Sequence, residues 1–293
     1  MAENHAGNQN YDENFYRANR ANSQRRANAV LPIVNKFIHP KKVIDIGCGV
    51  GGWLSVWKEF FGAEVYGIDG DYVKRKLLLI DEENFYPFNL ENRIKLNQKF
   101  DLVETIEVAE HLSPARADSF IEDLTKLSDV ILFSAAITGQ GGTNHVNEQM
   151  QSYWAEKFLR QNYVCIDCIR PQIWNNKNID VIYRQNMFIY AKSSELYRYP
   201  ELQEYYLKHK ENQILDAVHP EIWIGRLIGF QNFYNQVRAQ LQNRGGAVGR
   251  RFFAFSKNLS RRQKSAGFLF QIKKFGHSRA PFNLTHDVSV IVV

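Results

Sequence analysis

Cysteine is scarce. The three present, Cys48, Cys165 and Cys168, cannot build a disulfide framework and suit a reducing compartment. No run of 18 consecutive apolar residues occurs, which excludes a membrane-spanning helix of ordinary length. The first ten residues carry neither the basic nor the apolar stretch of a secretory leader, so the expected location is the cytoplasm. No internal repeat is visible. Acid is nearly missing from one end: from Ile222 onward there are 12 lysines and arginines and a single acid, Asp287. The preceding 221 residues hold 25 basic and 30 acidic side chains. The chain's net charge of +6 therefore belongs to its C-terminal quarter, and an anionic partner is expected there rather than at the main body.

What is present is an ordinary globular composition, 44% hydrophobic and 23% charged, with alternating strand and helix signals. Residues 1–11 are polar, and their composition predicts disorder. Helical spacing of Ala27, Val30, Leu31, Val34 and Ile38 predicts a helix over Ser23–Ile38, with a kink or late start at Pro32. Apolar runs predict strands at Val43–Ile46, Glu64–Ile68, Asn84–Phe88, Phe100–Ile106, Val130–Ala136, Val164–Ile169 and Met187–Ala191. Helices are expected between them at Trp53–Phe61, Ser113–Leu127 and Met150–Gln161. This alternation predicts an α/β fold with a doubly wound, mostly parallel sheet, which places a ligand across the carboxyl ends of the strands. Further helices are expected at Leu196–Lys210 and Glu221–Gln242, the second with Trp223, Leu227, Phe230, Phe233, Tyr234 and Val237 on one broad apolar face. The expected organisation is an arm (1–22), a sheet domain (23–195), a helical extension (196–243) and a basic linker ending in a strand (244–293).

The first strand runs through Asp45 into Gly47-Cys48-Gly49-Val50-Gly51-Gly52. Gly47, Gly49 and Gly52 satisfy G-x-G-x-x-G, the dinucleotide pattern. Asp45 argues against a pyrophosphate, because an acid two residues before the first glycine suits a cationic group instead. Asp69-Gly70, 22 residues after Gly47, ends the second strand, where a carboxylate can accept both hydroxyls of a ribose. Glycine backbone, a ribose acceptor and a cation-tolerant acid together describe S-adenosylmethionine. On these residues, and on Phe100-Asp101-Leu102-Val103, residues 20–195 resemble the class I S-adenosylmethionine-dependent methyltransferases. The resemblance implies a seven-stranded Rossmann-like sheet and a cofactor held by Asp45, Gly47, Cys48, Gly49, Gly51, Asp69, Gly70, Asn89, Leu90 and Glu107. Where the family often has an acid for the adenine amino group, this chain has Asn89 in Phe88-Asn89-Leu90.

After the fourth strand comes Glu107-Val108-Ala109-Glu110-His111-Leu112. If the chain turns helical there, Glu107, Glu110 and His111 share one face. His145 lies in the loop after the fifth strand. These four residues can bind Mg2+ or another divalent metal that acidifies a hydroxyl. Alternatively His111, with His145 and Glu107, can work as general base machinery without metal. A third reading is a capping acid and a packed histidine with no chemistry. The Glu-x-x-Glu-His run with a later histidine resembles the small-RNA 2′-O-methyltransferases, and the run alone resembles the quinone-biosynthesis O-methyltransferases.

Asn147-Glu148-Gln149 either cap the following helix or touch substrate. Together with Tyr183-Arg184-Gln185-Asn186, they are similar to methyltransferases encoded among surface-polysaccharide genes. Cys165 and Cys168, three apart on a strand, face opposite sides and read as structural. The basic, aromatic-interleaved stretch from Arg244 to Arg279 suits a linker, a peripheral contact with the inner membrane face, or nucleic acid. The closing Asp287–Val293 run resembles the first strand of family-2-type glycosyltransferase domains, implying a glycosyltransferase domain or partner. The reading that follows is an enzyme methylating a hydroxyl of a small-molecule, sugar or glycan acceptor. The alternatives are an RNA 2′-O-methyltransferase and a cofactor-binding module serving a glycosyltransferase without catalysis.

Overall fold

The computed structural model describes residues 13–243, with side chains for 22–236. The polar segment 1–11, the basic stretch after Asn243 and the closing apolar run therefore lie outside the described residues. The described chain divides into two units, the first ending at Ala217 and the second beginning at Val218.

The first unit begins with α1 (Glu13–Ile38). It starts ten residues before the expected helix and carries Pro32 inside it. A proline in a helix interior is unfavourable by about 3 kcal/mol. Val30, Leu31 and Val34 on the same helix are fully buried. Each is worth roughly 1.5–3 kcal/mol, so packing holds the helix together. Strand β1 (Lys42–Ile46) follows, then α2 (Gly52–Phe61), β2 (Glu64–Asp69), β3 (Phe85–Pro87) and β4 (Leu102–Ile106). Next come α3 (Ala117–Leu127), β5 (Val130–Ser134), α4 (Gln151–Arg160) and β6 (Tyr163–Ile166). Two short helices, α5 (Arg170–Ile173) and α6 (Val181–Asn186), precede β7 (Phe188–Lys192), and α7 (Pro200–His209) completes the unit.

The seven strands form one sheet in the order β3-β2-β1-β4-β5-β7-β6. All neighbours are parallel except those of β7, which runs antiparallel between β5 and β6. This is the doubly wound sheet that the sequence predicts. Both faces are covered, so the strands are mostly apolar, with Asp45 in β1 and Glu104 in β4 as buried exceptions. Val43, Leu102, Val130 and Leu132 face a core built with Val30 and Leu31 of α1 and Leu54 and Trp57 of α2. Ile44, Val103, Ile131 and Phe133 face the opposite core, with Phe120 and Leu124 of α3 and Trp154 and Phe158 of α4. Cys165 packs on this second core and Cys168 in the first, and both are free thiols.

In the second unit, α8 (Pro220–Asn243) is the described element. Trp223, Leu227, Phe230 and Phe233 of its expected apolar face are exposed, and Ile224 and Ile228 on another flank are exposed too. Among the described residues no helix is long and apolar enough to cross a membrane.

Leu54→Ala, which empties a fully buried position, should cost about 2–5 kcal/mol. Phe230→Ala, at 71% exposure, should change stability by less than about 0.5 kcal/mol. Denaturant midpoints of the two variants check both.

Candidate active site

The glycine turn sits at the carboxyl end of β1. Gly47 and Cys48 both donate their amides to the Ile68 carbonyl, at 2.8 and 3.1 Å. Gly47 has φ +91°, and a Cβ there would lie 2.3 Å from Cγ2 of Val108. Only glycine lets the turn pass beneath the loop after β4. Gly49, at φ +55°, has no heavy atom within 4 Å of its missing Cβ, so its backbone is open to a ligand. Asp69 closes the turn from β2: Oδ2 accepts from the Gly49 amide at 2.6 Å, and Oδ1 accepts from the Gly70 amide at 2.6 Å and from the Tyr72 hydroxyl. Asp45 is 3% exposed, two residues before Gly47. Cys48 is buried between the turn and Gly67, and burial with Asp45 and Asp69 nearby pushes its thiol up. Asn89 turns its side-chain oxygen to the Glu91 amide at 3.0 Å, so that oxygen holds a local turn. Leu90 is buried in the α3-side core.

The segment after β4 is not a continuous helix. Glu107 takes φ +56°, and only Ala109–His111 form a single 3-10 turn. A left-handed residue redirects its side chain, so Glu107 leaves the face that Glu110 and His111 share. Its partly buried carboxylate instead accepts from the Ser134 hydroxyl, from Asn186 Nδ2 at 3.2 Å and from Gln140 Nε2 at 3.3 Å. The Glu110 carbonyl receives the amides of Val146 and Asn147 at 2.9 and 3.0 Å, which pins the loop after β5. That brings His145 against His111, ring centroids 4.8 Å apart and nearly perpendicular. One ligand atom each of Glu110, His111 and His145 lie within 4.8 Å of one another; Glu107 is not in this group.

Electrostatics follow from burial. Glu110 is fully buried, and burial with the Glu107 carboxylate beside it pushes its pKa up to about 9. Burial likewise raises Glu107, against the hydrogen bonds from Ser134 and Asn186. Burial and the neighbouring His145 lower His111, so its ring is neutral near pH 7. Glu148 Oε1 lies 2.8 Å from Nδ1 of His145 and 2.5 Å from the Gly141 amide, and Oε2 accepts from Gly139 at 2.9 Å. A carboxylate can only accept, so Nδ1 carries the proton and Nε2 is left as the free donor atom. None of Asn147, Glu148 and Gln149 caps α4; the first-turn amide of Ser152 donates instead to the Asp216 carboxylate at 2.8 Å. Sequence reasoning missed Gln140 as a partner of Glu107; its only signal was position in the glycine loop. A separate cavity of about 300 Å³ at the end of β6, lined by Arg170, Trp174, Tyr205 and His209 among others, shares no residue with this cluster.

Comparison with known proteins meets this geometry at the same place. Residues 14–161 match the family model described as a methyltransferase domain. The chain belongs to this methyltransferase-domain family. Its strand order, with an antiparallel β7 inside a parallel sheet, is the class I methyltransferase fold. Among curated relatives, a probable chloroplastic tocopherol O-methyltransferase of Oryza sativa subsp. japonica is 29% identical over 97 residues. That match covers 30% of this chain and spans about a quarter (26%) of the rice protein. Among solved structures, the methyltransferase domain of bacterial CtHen1 is 22% identical, covering 57% of this chain and 98% of that one, with a TM-score of 0.42. The magnesium protoporphyrin IX methyltransferase of Synechocystis PCC 6803, solved with bound SAH, is 18% identical over 64% of this chain and 90% of that one, also at 0.42.

A carboxyl whose folded-state pKa is raised costs the fold stability progressively across the pH window where only the unfolded chain has released its proton. Stability contributed at Glu110 is therefore present in acid and lost as pH rises from the ordinary carboxylate range toward 9. In chelator-treated protein, Glu110→Gln should raise the melting temperature at pH 8 and give no gain at pH 4. Thermal scans at the two pH values check the sign.

Proposed function

We propose that this domain transfers the methyl group of S-adenosylmethionine to a hydroxyl oxygen of a sugar or glycan precursor, with a divalent metal at Glu110, His111 and His145. The observation that carries the reading is the packing of Val108 on Gly47. It sets the acid–histidine cluster directly against the turn with the open Gly49 backbone.

The residues present fit both groups. For the cofactor, Gly49 offers unobstructed backbone, and Asp45 Oδ1 is buried without a hydrogen-bond partner. The Tyr72 hydroxyl on Asp69 occupies the kind of position a ribose hydroxyl would take. For the metal, neither oxygen of Glu110 has a well-formed partner, and two imidazoles beside a carboxylate suit a divalent cation. When bound, the cofactor supplies an electrophilic methyl on sulfur, and the metal acidifies the hydroxyl that it holds. Glu148 orients His145 and fixes its tautomer. His111, held neutral by burial, can ligate or accept the hydroxyl proton. Glu107, caged by Ser134, Gln140 and Asn186, positions Glu110 and closes the floor between the two.

The choice of a glycan acceptor rests on the two runs similar to polysaccharide-locus methyltransferases. Both converge here: Glu148 on His145, and Asn186 on Glu107. An RNA ribose hydroxyl is the rival acceptor, supported by the basic C-terminal quarter of the sequence.

Asp69→Ala should weaken S-adenosylhomocysteine binding about 10–100-fold, the worth of a charge-assisted hydrogen bond (about 1.5–3 kcal/mol). Calorimetric titration checks it, and unchanged affinity would remove the pocket assignment. Labelled methyl should pass to one member of a panel of sugars, lipid-linked glycans and RNAs. Transfer should stop with chelator and return with Mg2+. Glu148→Ala should lower turnover about 10–100-fold, as removal of a group orienting a metal ligand does. Full transfer in chelator with full activity of His145→Ala would sink the metal, and labelling of RNA alone would replace the glycan.

A further inference from the structure

Two acids without a cationic partner lie under the glycine turn, and one of them belongs to no motif. β1 and β4 pair in parallel with Asp45 opposite Glu104. Side chains alternate along a strand, so both leave the sheet on the face where Val43 and Leu102 meet α1 and α2. Glu104 is fully buried and Asp45 3% exposed. Trp57 Nε1, from α2, donates to Glu104 Oε2 at 2.9 Å. Asp45 Oδ1 and Glu104 Oε1 remain buried without hydrogen-bond partners. An unsatisfied buried carboxylate oxygen is costly, and two beside each other cannot both stay ionised without a positive charge or a proton.

We infer that Asp45 and Glu104 form a proton-exchanging receptor for the α-ammonium group of the cofactor, holding a proton in the free protein and releasing it as the ammonium arrives. This rests on the reading of the glycine turn as the S-adenosylmethionine site. Charge balances: the ammonium keeps its own protons and brings one positive charge, while one proton leaves the carboxyl pair for solvent. Glu104 touches no reacting atom and acts through Asp45, as a positioning residue. The pair also gives the turn its selectivity, because a phosphate in the same place would meet two acids.

The titratable groups facing Asp45 are Glu104 from β4, Asp69 from the end of β2 and Cys48 in the turn, none of them a cation. Burial, then Glu104 and Asp69, hold Asp45 well above the carboxylate range, and burial raises Glu104 to about 8 against the Trp57 hydrogen bond. Because the free pair keeps a proton that the complex lacks, affinity rises with pH.

The test is calorimetric titration of the full chain with S-adenosylhomocysteine. It is run between about pH 6 and 7.5, below the ordinary α-amino range of about 7.7–8.0, in two buffers of different ionisation enthalpy. The expected result is release of about one proton and an affinity gain of about tenfold per pH unit. In Glu104→Gln, whose amide oxygen keeps the Trp57 bond, proton release should fall below about half and the pH slope flatten. The desamino analogue of S-adenosylhomocysteine should release no proton from the wild-type protein, a comparison that needs no variant. Binding without proton release, equal release with the desamino analogue, or equal release in Glu104→Gln would each overturn the inference while leaving the cofactor site in place. Failure of the wild-type protein to bind S-adenosylhomocysteine would remove the cofactor reading, and this inference with it.

Discussion

One carboxylate ties the ends of β1 and β2 together. Asp69 accepts amides from both Gly49 and Gly70, and so fixes the two loops against each other. The backbone amides of Gly47 and Cys48 add a second tie to Ile68. With β1 held, Gly47 can pass under Val108, and the loop after β4 takes its place against the turn. The cofactor side and the acid–histidine side of the site are thus positioned by a single chain of contacts starting at Asp69.

The site differs from the rest of the interior in charge. Elsewhere, acids that leave the surface are matched: buried Asp123 pairs with Arg116 at 2.6 Å, and half-buried Asp167 with Arg170 at 2.7 Å. Asp45, Glu104, Glu107 and Glu110 form no ion pair with lysine or arginine among the described residues. Four uncompensated carboxyls in one region make the interior there a receptor for positive charge. Under the proposed function, a sulfonium cofactor with an ammonium end and a divalent cation are the ligand classes that such a receptor would take. Burial, with no cation beside them to offset it, raises Asp45, Glu104, Glu107 and Glu110 alike.

Much of this was legible in the residues. Apolar runs marked all seven strands, because strands covered on both faces are mostly apolar. Asp45 and Asp69 were legible as acids at strand ends beside glycine. What failed was local geometry. Spacing suggested one helical face for Glu107, Glu110 and His111, and a single left-handed residue undid it. Asn89 looked available for adenine, but short polar side chains turn first to their own backbone. Glu104 passed unnoticed, since one acid inside an apolar strand looks like noise until the facing strand supplies Asp45. The polar run 147–149 suited either a helix cap or a substrate contact, and the structure turns Glu148 to Gly139, Gly141 and His145 of its own loop.

The cage around Glu107 also has a consequence in time. Its amide from Asn186 comes from 79 residues further along the chain, delivered by α6 just before β7 enters the sheet. A ribosome producing this protein has made the glycine turn, the acids and both histidines long before that amide emerges. Until then a half-built nascent domain holds an acid-rich interior whose carboxyls lack part of their support. The cage around Glu107 is therefore complete only once the chain has reached the sheet's last strand.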